Sequence, residues 1–317
     1  MRILAVDDDP VFLEQILAAL GALGYHDVVT AHSAEQALGE IARAMPPFDC
    51  FLFDIQMPGV SGVELCARLR KLELYRRTPV VMVTAMSGRA FIDGAFAAGA
   101  TDYITKPLDR FELKARMGMA ARLHEEREQL AAFARQNGLS LSAAEMQVDF
   151  DAPILIPGVD RAIEIMALEN YLLTLGRKSA YSYAALGIHV ANAASIYARA
   201  DAPTFVAMLN DVALAICGGL KTVQVLFAYA GNGNYVGLTR RTISFDQEEL
   251  EQNINYALSD FKDIYEADRL PLPEVRVGEL VRGSVFSLSR PTKILDQAIR
   301  AAQPTERMMP KSRLLVG

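Results

Sequence analysis

The chain has 317 residues, 51% hydrophobic and 22% charged, which suits two domains of about 150 residues each and does not fit a disordered chain. Its net charge is −6 and no Lys/Arg run occurs, so a nucleic-acid partner is not expected. Met1-Arg2 leads directly into an apolar run, leaving no room for a signal peptide. No apolar stretch approaches the ~18 residues of a membrane span, so a cytoplasmic location without membrane contact is expected. Cys50, Cys66 and Cys217 fall in apolar stretches and read as buried thiols rather than a disulfide or metal framework.

Short apolar runs and helical patterns alternate through the first half. Strands are expected at about 2–6, 27–31, 50–53, 79–83 and 102–104, each followed by a helix. Asp9-Pro10 places a capping residue before a proline at the start of the first helix. Ser33-Ala-Glu-Gln36 is a capping box for the second, and Asp109-Arg-Phe-Glu112 opens the fifth similarly. A (βα)5 order predicts an α/β fold, a doubly wound parallel sheet with helices on both faces. The fifth helix has no stop before Asn137-Gly138, so it reads as a rod of about 25 residues, and residues 138–157 read as a linker.

In such a sheet, residues that directly follow strands converge at the carboxyl edge. Here those are Asp7 and Asp8 after the first strand, Asp54 after the third, Thr84 after the fourth and Lys106 after the fifth. Three carboxylates beside one ammonium form a site for Mg²⁺, to which the Gln56 backbone carbonyl adds an oxygen. Carboxylates this close need a cation to stay ionised together. With the charge compensated, one of them can attack phosphorus, and the product oxygens would meet Lys106 and Thr84.

Val6-Asp7-Asp8-Asp9-Pro10, Asp54-Ile-Gln-Met-Pro-Gly-Val-Ser-Gly62, Thr84-Ala85 and Lys106-Pro107 resemble the receiver domain of two-component response regulators, over residues 1 to about 122. Thr84 lies 30 residues beyond Asp54 (84 − 54) and Lys106 lies 52 beyond it (106 − 54), the spacings usual in that family. The resemblance implies that Asp54 is the phosphoacceptor, that Asp7 and Asp8 are Mg²⁺ ligands and that Thr84 and Lys106 respond to the phosphate. It further implies that Tyr103 moves with Thr84, that a sensor histidine kinase or phosphotransfer protein is the donor, and that homodimerisation through the fourth helix, fifth strand and fifth helix is possible.

The second half is ordered differently. Helices are expected at about 160–175, 203–217, 246–263 and 292–302, and strands at 182–190, 222–229 and 235–241 with extended chain within 274–288. Gly231-Asn-Gly-Asn234 is a tight hairpin turn. Without the first helix the order is βαββαβ, an α+β, ferredoxin-like arrangement. Pro157-Gly158-Val-Asp-Arg161, Ala230-Gly-Asn-Gly-Asn-Tyr-Val-Gly-Leu238 and Asp296-Gln-Ala-Ile-Arg-Ala-Ala302 resemble a GGDEF domain, the diguanylate cyclase fold, over about 156–303. That family's two-metal chemistry needs carboxylates in the hairpin and on the first strand. This hairpin reads Gly231-Asn232-Gly233-Asn234-Tyr235, and the strand Leu186-Gly-Ile-His-Val-Ala-Asn192 has no carboxylate. Residues 222–225, where an inhibitory Arg-x-x-Asp would stand, read Thr-Val-Gln-Val. His189 reads as an ordinary strand residue, and Asn232 and Asn234 as turn formers.

The expected function is therefore a phosphorylation-controlled response regulator with a degenerate, catalytically inactive GGDEF-like output domain acting by protein contact. The alternative is a GTP- or cyclic-dinucleotide-binding sensor or a residual cyclase. The expected division is 1–122 receiver, 123–155 extended helix and linker, 156–303 GGDEF-like domain and 304–317 tail.

Overall fold

The computed structural model of the chain describes residues 1–85, 89–136, 148–156, 158–174, 182–220, 225–282 and 292–303. The N-terminal part alternates β1 (Ile3–Val6), α1 (Pro10–Ala22), β2 (Val28–Ala31), α2 (Ala34–Arg43), β3 (Cys50–Asp54), α3 (Gly62–Arg70), β4 (Val80–Thr84), α4 (Arg89–Ala97), β5 (Asp102–Thr105) and α5 (Arg110–Gln136). β1, β3 and β4 are buried along their whole length, as their uninterrupted apolar sequences require of strands covered on both faces. They form a parallel sheet of order β2-β1-β3-β4-β5. α1 and α5 pack on one face through Phe12, Leu13, Ile16, Leu113 and Met117. α2, α3 and α4 cover the other.

The helix starts follow their caps. The carboxylate of Asp9 accepts from the Val11 amide with Pro10 at the first turn, Ser33 caps α2, and the Asp109 carboxylate accepts from the amides of Phe111 and Glu112. α5 runs 27 residues, about 40 Å at 1.5 Å per residue. A short 3₁₀ turn, Glu73–Tyr75, precedes β4.

The C-terminal part comprises α6 (Ile165–Thr174), β6 (Tyr183–Val190), α7 (Ala193–Tyr197), α8 (Ala202–Gly219), β7 (Leu226–Gly231), β8 (Asn234–Arg240), α9 (Gln247–Ser259), α10 (Lys262–Ala267), β9 (Val275–Val277), β10 (Val281–Arg282) and α11 (Lys293–Ala302). Its sheet is antiparallel, ordered β10-β6-β8-β7 with β9 also on β6. α8 and α9 pack on one face through Phe205, Leu209, Val212 and Ile254. α6 and α11 cover the other through Leu168, Tyr171, Leu295 and Ala298, and their cluster is continuous with that beneath α2–α4. One apolar core therefore runs between the two sheets.

Several expectations are corrected. α6 starts at Ile165 rather than 160, because Arg161 adopts φ +66° and the next residues pair with β7, Phe227 donating to the Arg161 carbonyl and Ile163 to that of Phe227. The helix expected over 246–263 breaks into α9 and α10 around Asp260-Phe261. α7 was not anticipated. Cys217 is half-buried, although Cys50 and Cys66 are buried. α8 is 18 residues long and apolar enough for a span, contrary to the expectation for apolar runs. Its apolar side chains fill the second core, and Asp211 at its middle accepts a hydrogen bond from Tyr265. Of the linker expected over 138–157, residues 138–147 and Pro157 lie outside the described residues, as do 222–224 and the tail 304–317, while Val148 and Ile156 pack into the second core.

Candidate functional site

The site is built at the carboxyl edge of the first sheet, where the strand order reverses between β1 and β3. Val6 pairs with Phe53, so Asp7 and Asp54 emerge side by side. Val83 pairs with Asp54, which sets Thr84 one step further along β4, and Thr84 pairs with Thr105, after which Lys106 follows. Asp7, Asp54 and Thr84 are buried and Asp8 is exposed. The carboxylates of Asp7, Asp8 and Asp54 lie within 4.8 Å of one another.

Lys106 reaches across this edge, its Nζ 2.7 Å from Asp7 Oδ2 and 2.9 Å from Asp54 Oδ1. The ammonium also sits 4.1 Å from the centre of the Phe12 ring, a cation–π contact at the first turn of α1. Asp7 uses its other oxygen to accept from the Asp9 amide at 3.0 Å. Burial pushes the Asp54 carboxyl up; the Lys106 hydrogen bond opposes this, the Asp7 charge adds to it, and the Gln56 amide donates to Asp54 and draws it down. Burial would depress Lys106, yet its bonds to Asp7 and Asp54 prevail and raise it. Gly62 opens α3 directly beneath the acceptor: a Cβ there would fall 1.9 Å from the Asp54 carbonyl oxygen, so only glycine lets the 55–61 loop close under Asp54.

The donor set fits a hard divalent cation: three carboxylates on one edge, one of them open to solvent, with more negative charge than the single ammonium neutralises. A profile of the response regulator receiver domain matches residues 3–118. The response regulator PleD of Caulobacter vibrioides is 36% identical over 146 residues, covering 45% of this chain and 32% of that protein. The transcriptional regulatory protein TrcR of Mycobacterium tuberculosis is 31% identical over 179 residues, covering 56% of this chain and 68% of TrcR. The chain belongs to the response regulator receiver family. A putative response regulator from Chloroflexus aurantiacus, solved by crystallography, is 34% identical, with a TM-score of 0.36, and covers 38% of this chain and 95% of its own. The chain spans about a third of PleD's length.

Tyr103, on β5 of the receiver, is buried with its ring edge-on to Phe96 of α4, centroids 6.2 Å apart. Beside it Asp102 is buried against Arg116 of α5 at 3.1 Å, and burial lifts its carboxyl to about 6 in spite of the guanidinium.

At the second half's hairpin, Asn232 and Gly233 both take positive φ, +54° and +72°, the two-residue turn expected from the sequence. Asn234 is spent on that turn. Its amide donates to the carbonyls of Gly231 and Asn232, and its Oδ1 takes His189 Nδ1 at 2.9 Å and Gln303 Nε2 at 3.3 Å. The Asn232 amide donates to Phe150 and the Gly233 carbonyl accepts from Val190. Burial lowers the basicity of His189.

Sequence reading missed Phe12, although an apolar residue on the first turn after Asp7-Asp8 was a usable signal. It also missed the cluster in which the Tyr171 hydroxyl of α6 is hydrogen-bonded to Asp93 of α4 and to Tyr183 of β6. Nothing local marks those three residues.

Proposed function

We propose that the protein is a response regulator in which Asp54 accepts a phosphoryl group from a sensor histidine kinase or phosphotransfer protein. The observation that carries this is Lys106 bridging Asp7 and Asp54 at the edge where β1, β3, β4 and β5 end. Asp7, Asp8 and the Asp54 carboxylate, with the Gln56 carbonyl, would hold Mg²⁺, which supplies charge neutralisation for in-line transfer. A carboxylate oxygen of Asp54 attacks phosphorus. The bond from phosphorus to the donor atom breaks, and the leaving group departs with its electron pair. Lys106 balances the phosphoryl charge, and the Thr84 hydroxyl donates to a phosphoryl oxygen.

The second half, about 156–303, is a ferredoxin-like, degenerate GGDEF output domain that acts by protein contact and not as an enzyme. The sheet order supports this reading: β9/β10, β6, β8, β7 are the fourth, first, third and second strands of a βαββαβ unit. Asn234 supports the loss of catalysis, since an amide with both ends engaged has no anionic oxygen to offer a metal. Residues 123–155 are assigned as extended helix and linker, α5 running as far as Gln136, and 304–317 as a tail.

The test is acetyl phosphate or beryllofluoride with Mg²⁺ on wild type and Asp54→Asn, read by intact-mass spectrometry for the former and fluorine NMR for the latter. Modification confined to wild type is the expected result, and modification surviving Asp54→Asn removes Asp54 from its role. Calorimetry with GTP and cyclic di-GMP is expected to show no micromolar binding and no turnover; either would establish the nucleotide-sensor alternative.

A further inference from the structure

Lys106 has a pinned backbone. Its amide donates to the Thr84 carbonyl at 2.7 Å, which fixes where the residue leaves β5, but a lysine ammonium rides on a flexible four-carbon stem. Two polar contacts hold that ammonium, to Asp7 at 2.7 Å and to Asp54 at 2.9 Å. Both partners are carboxylates that a divalent cation and a phosphoryl group would also engage. The third contact is of another kind: Nζ lies over the Phe12 ring, 4.1 Å from its centre. Phe12 is 6% exposed and belongs to the apolar cluster of Leu13, Ile16, Leu113 and Met117, so the ring cannot follow the ammonium about. It stands in the first turn of α1. Long side chains there lean back toward the helix start, which for Phe12 is the loop carrying Asp7 and Asp8.

We propose that Phe12 is a positioning residue for phosphoryl transfer: its ring holds the Lys106 ammonium in the crevice while the carboxylates change partners, and it does so by its electrons rather than its bulk. The proposal rests on the phosphoacceptor reading above. When Asp7 and Asp54 turn oxygens to Mg²⁺, the ammonium's share of both falls, and like charges at one edge repel. As an Asp54 oxygen bonds to phosphorus, the bond to the donor atom breaks with its electron pair leaving on the donor, and Lys106 must pass from the Asp54 carboxylate to a phosphoryl oxygen. The ring takes part in none of these exchanges. Its negative face attracts the ammonium throughout, so the fraction of molecules with Lys106 in place stays high, and the rate scales with that fraction. Leucine at this position is apolar and fills much of the same space but has no such face.

The experiment uses the full chain with mono-, di- and trifluorinated phenylalanine in place of Phe12, which keep the ring's shape and drain charge from its face, together with Phe12→Leu. Transfer from acetyl phosphate with Mg²⁺, timed by intact-mass spectrometry, is expected to slow stepwise with each fluorine. The trifluorinated protein and Phe12→Leu are expected to be about fivefold slower than wild type, within the range a cation–π contact supports. A second readout needs no transfer. In protein carrying isotope-labelled lysine, with Lys106→Arg identifying the signal, the ε-methylene protons of Lys106 are expected upfield of those of the other lysines, with and without Mg²⁺. In Phe12→Leu they are expected to rejoin the others. Rates that stay flat across the fluorinated series while wild type is modified at Asp54 overturn the role of Phe12 alone, as does an upfield shift that is absent or that vanishes when Mg²⁺ is added. Absence of any adduct at Asp54 in wild type overturns the phosphoacceptor reading itself, and the role of Phe12 with it.

Discussion

Lys106 shows how one side chain organises the crevice. Its ammonium bridges two buried carboxylates and rests on the Phe12 ring, so its position is fixed. Fixed charge aimed at a reacting centre contributes on the order of 10²-fold in rate per group removed. Lys106→Ala is therefore expected to slow Asp54 phosphorylation by acetyl phosphate about 10²-fold, timed by intact-mass spectrometry, and an unchanged rate would refute this role. Asp102 gives a test in pH. Its carboxyl is raised from 3.8 to about 6 by burial, so the folded state holds a proton that the unfolded chain has released. That stabilisation is complete below about pH 4 and is lost as pH rises through about 6. At 1.36 kcal/mol per unit the span is about 3 kcal/mol. Asp102→Asn lacks this dependence, and its urea stability relative to wild type is expected to improve by about that amount from pH 4 to pH 7. Parallel curves would exclude it.

Among the elements, the hairpin between β7 and β8 is held by side-chain hydrogen bonds and by positive φ at its turn. Asn234 makes four hydrogen bonds there and is buried. Leaving its buried partners unpaired costs about 1–3 kcal/mol, so Asn234→Ala is expected to lower the urea midpoint accordingly; a midpoint within error of wild type would make the amide incidental. The turn was legible because Asn-Gly between apolar runs has a backbone cause. The strands of the first sheet were legible too, since runs buried on both faces need no knowledge of their neighbours, and the spacing from Asp54 located Thr84 and Lys106. The start of α6 was not. Residues 160–164 are helix-compatible in sequence, and only pairing with Phe227, more than 60 residues away, turns them aside. Asp93, Tyr171 and Tyr183 were hidden for the same reason, Asp93 and Tyr171 being 78 residues apart.

For the whole molecule, continuity of the core between the sheets matters most. Phe96 is fully buried where the two halves meet and touches rings from both. Phe96→Ala is expected to cost about 3–5 kcal/mol and to lower protection from hydrogen exchange in β5 and α6 together. Loss confined to β5 would mean the halves are energetically separate.

α6 and the face it covers belong to one chain, so their association does not depend on protein concentration. A tethered segment competes as though present at about millimolar concentration. If α6 itself docks with micromolar intrinsic affinity, a separate protein seeking α4 and β5 is thus outcompeted roughly a thousandfold. Abundance of that protein alone would not gain it entry to α4 and β5.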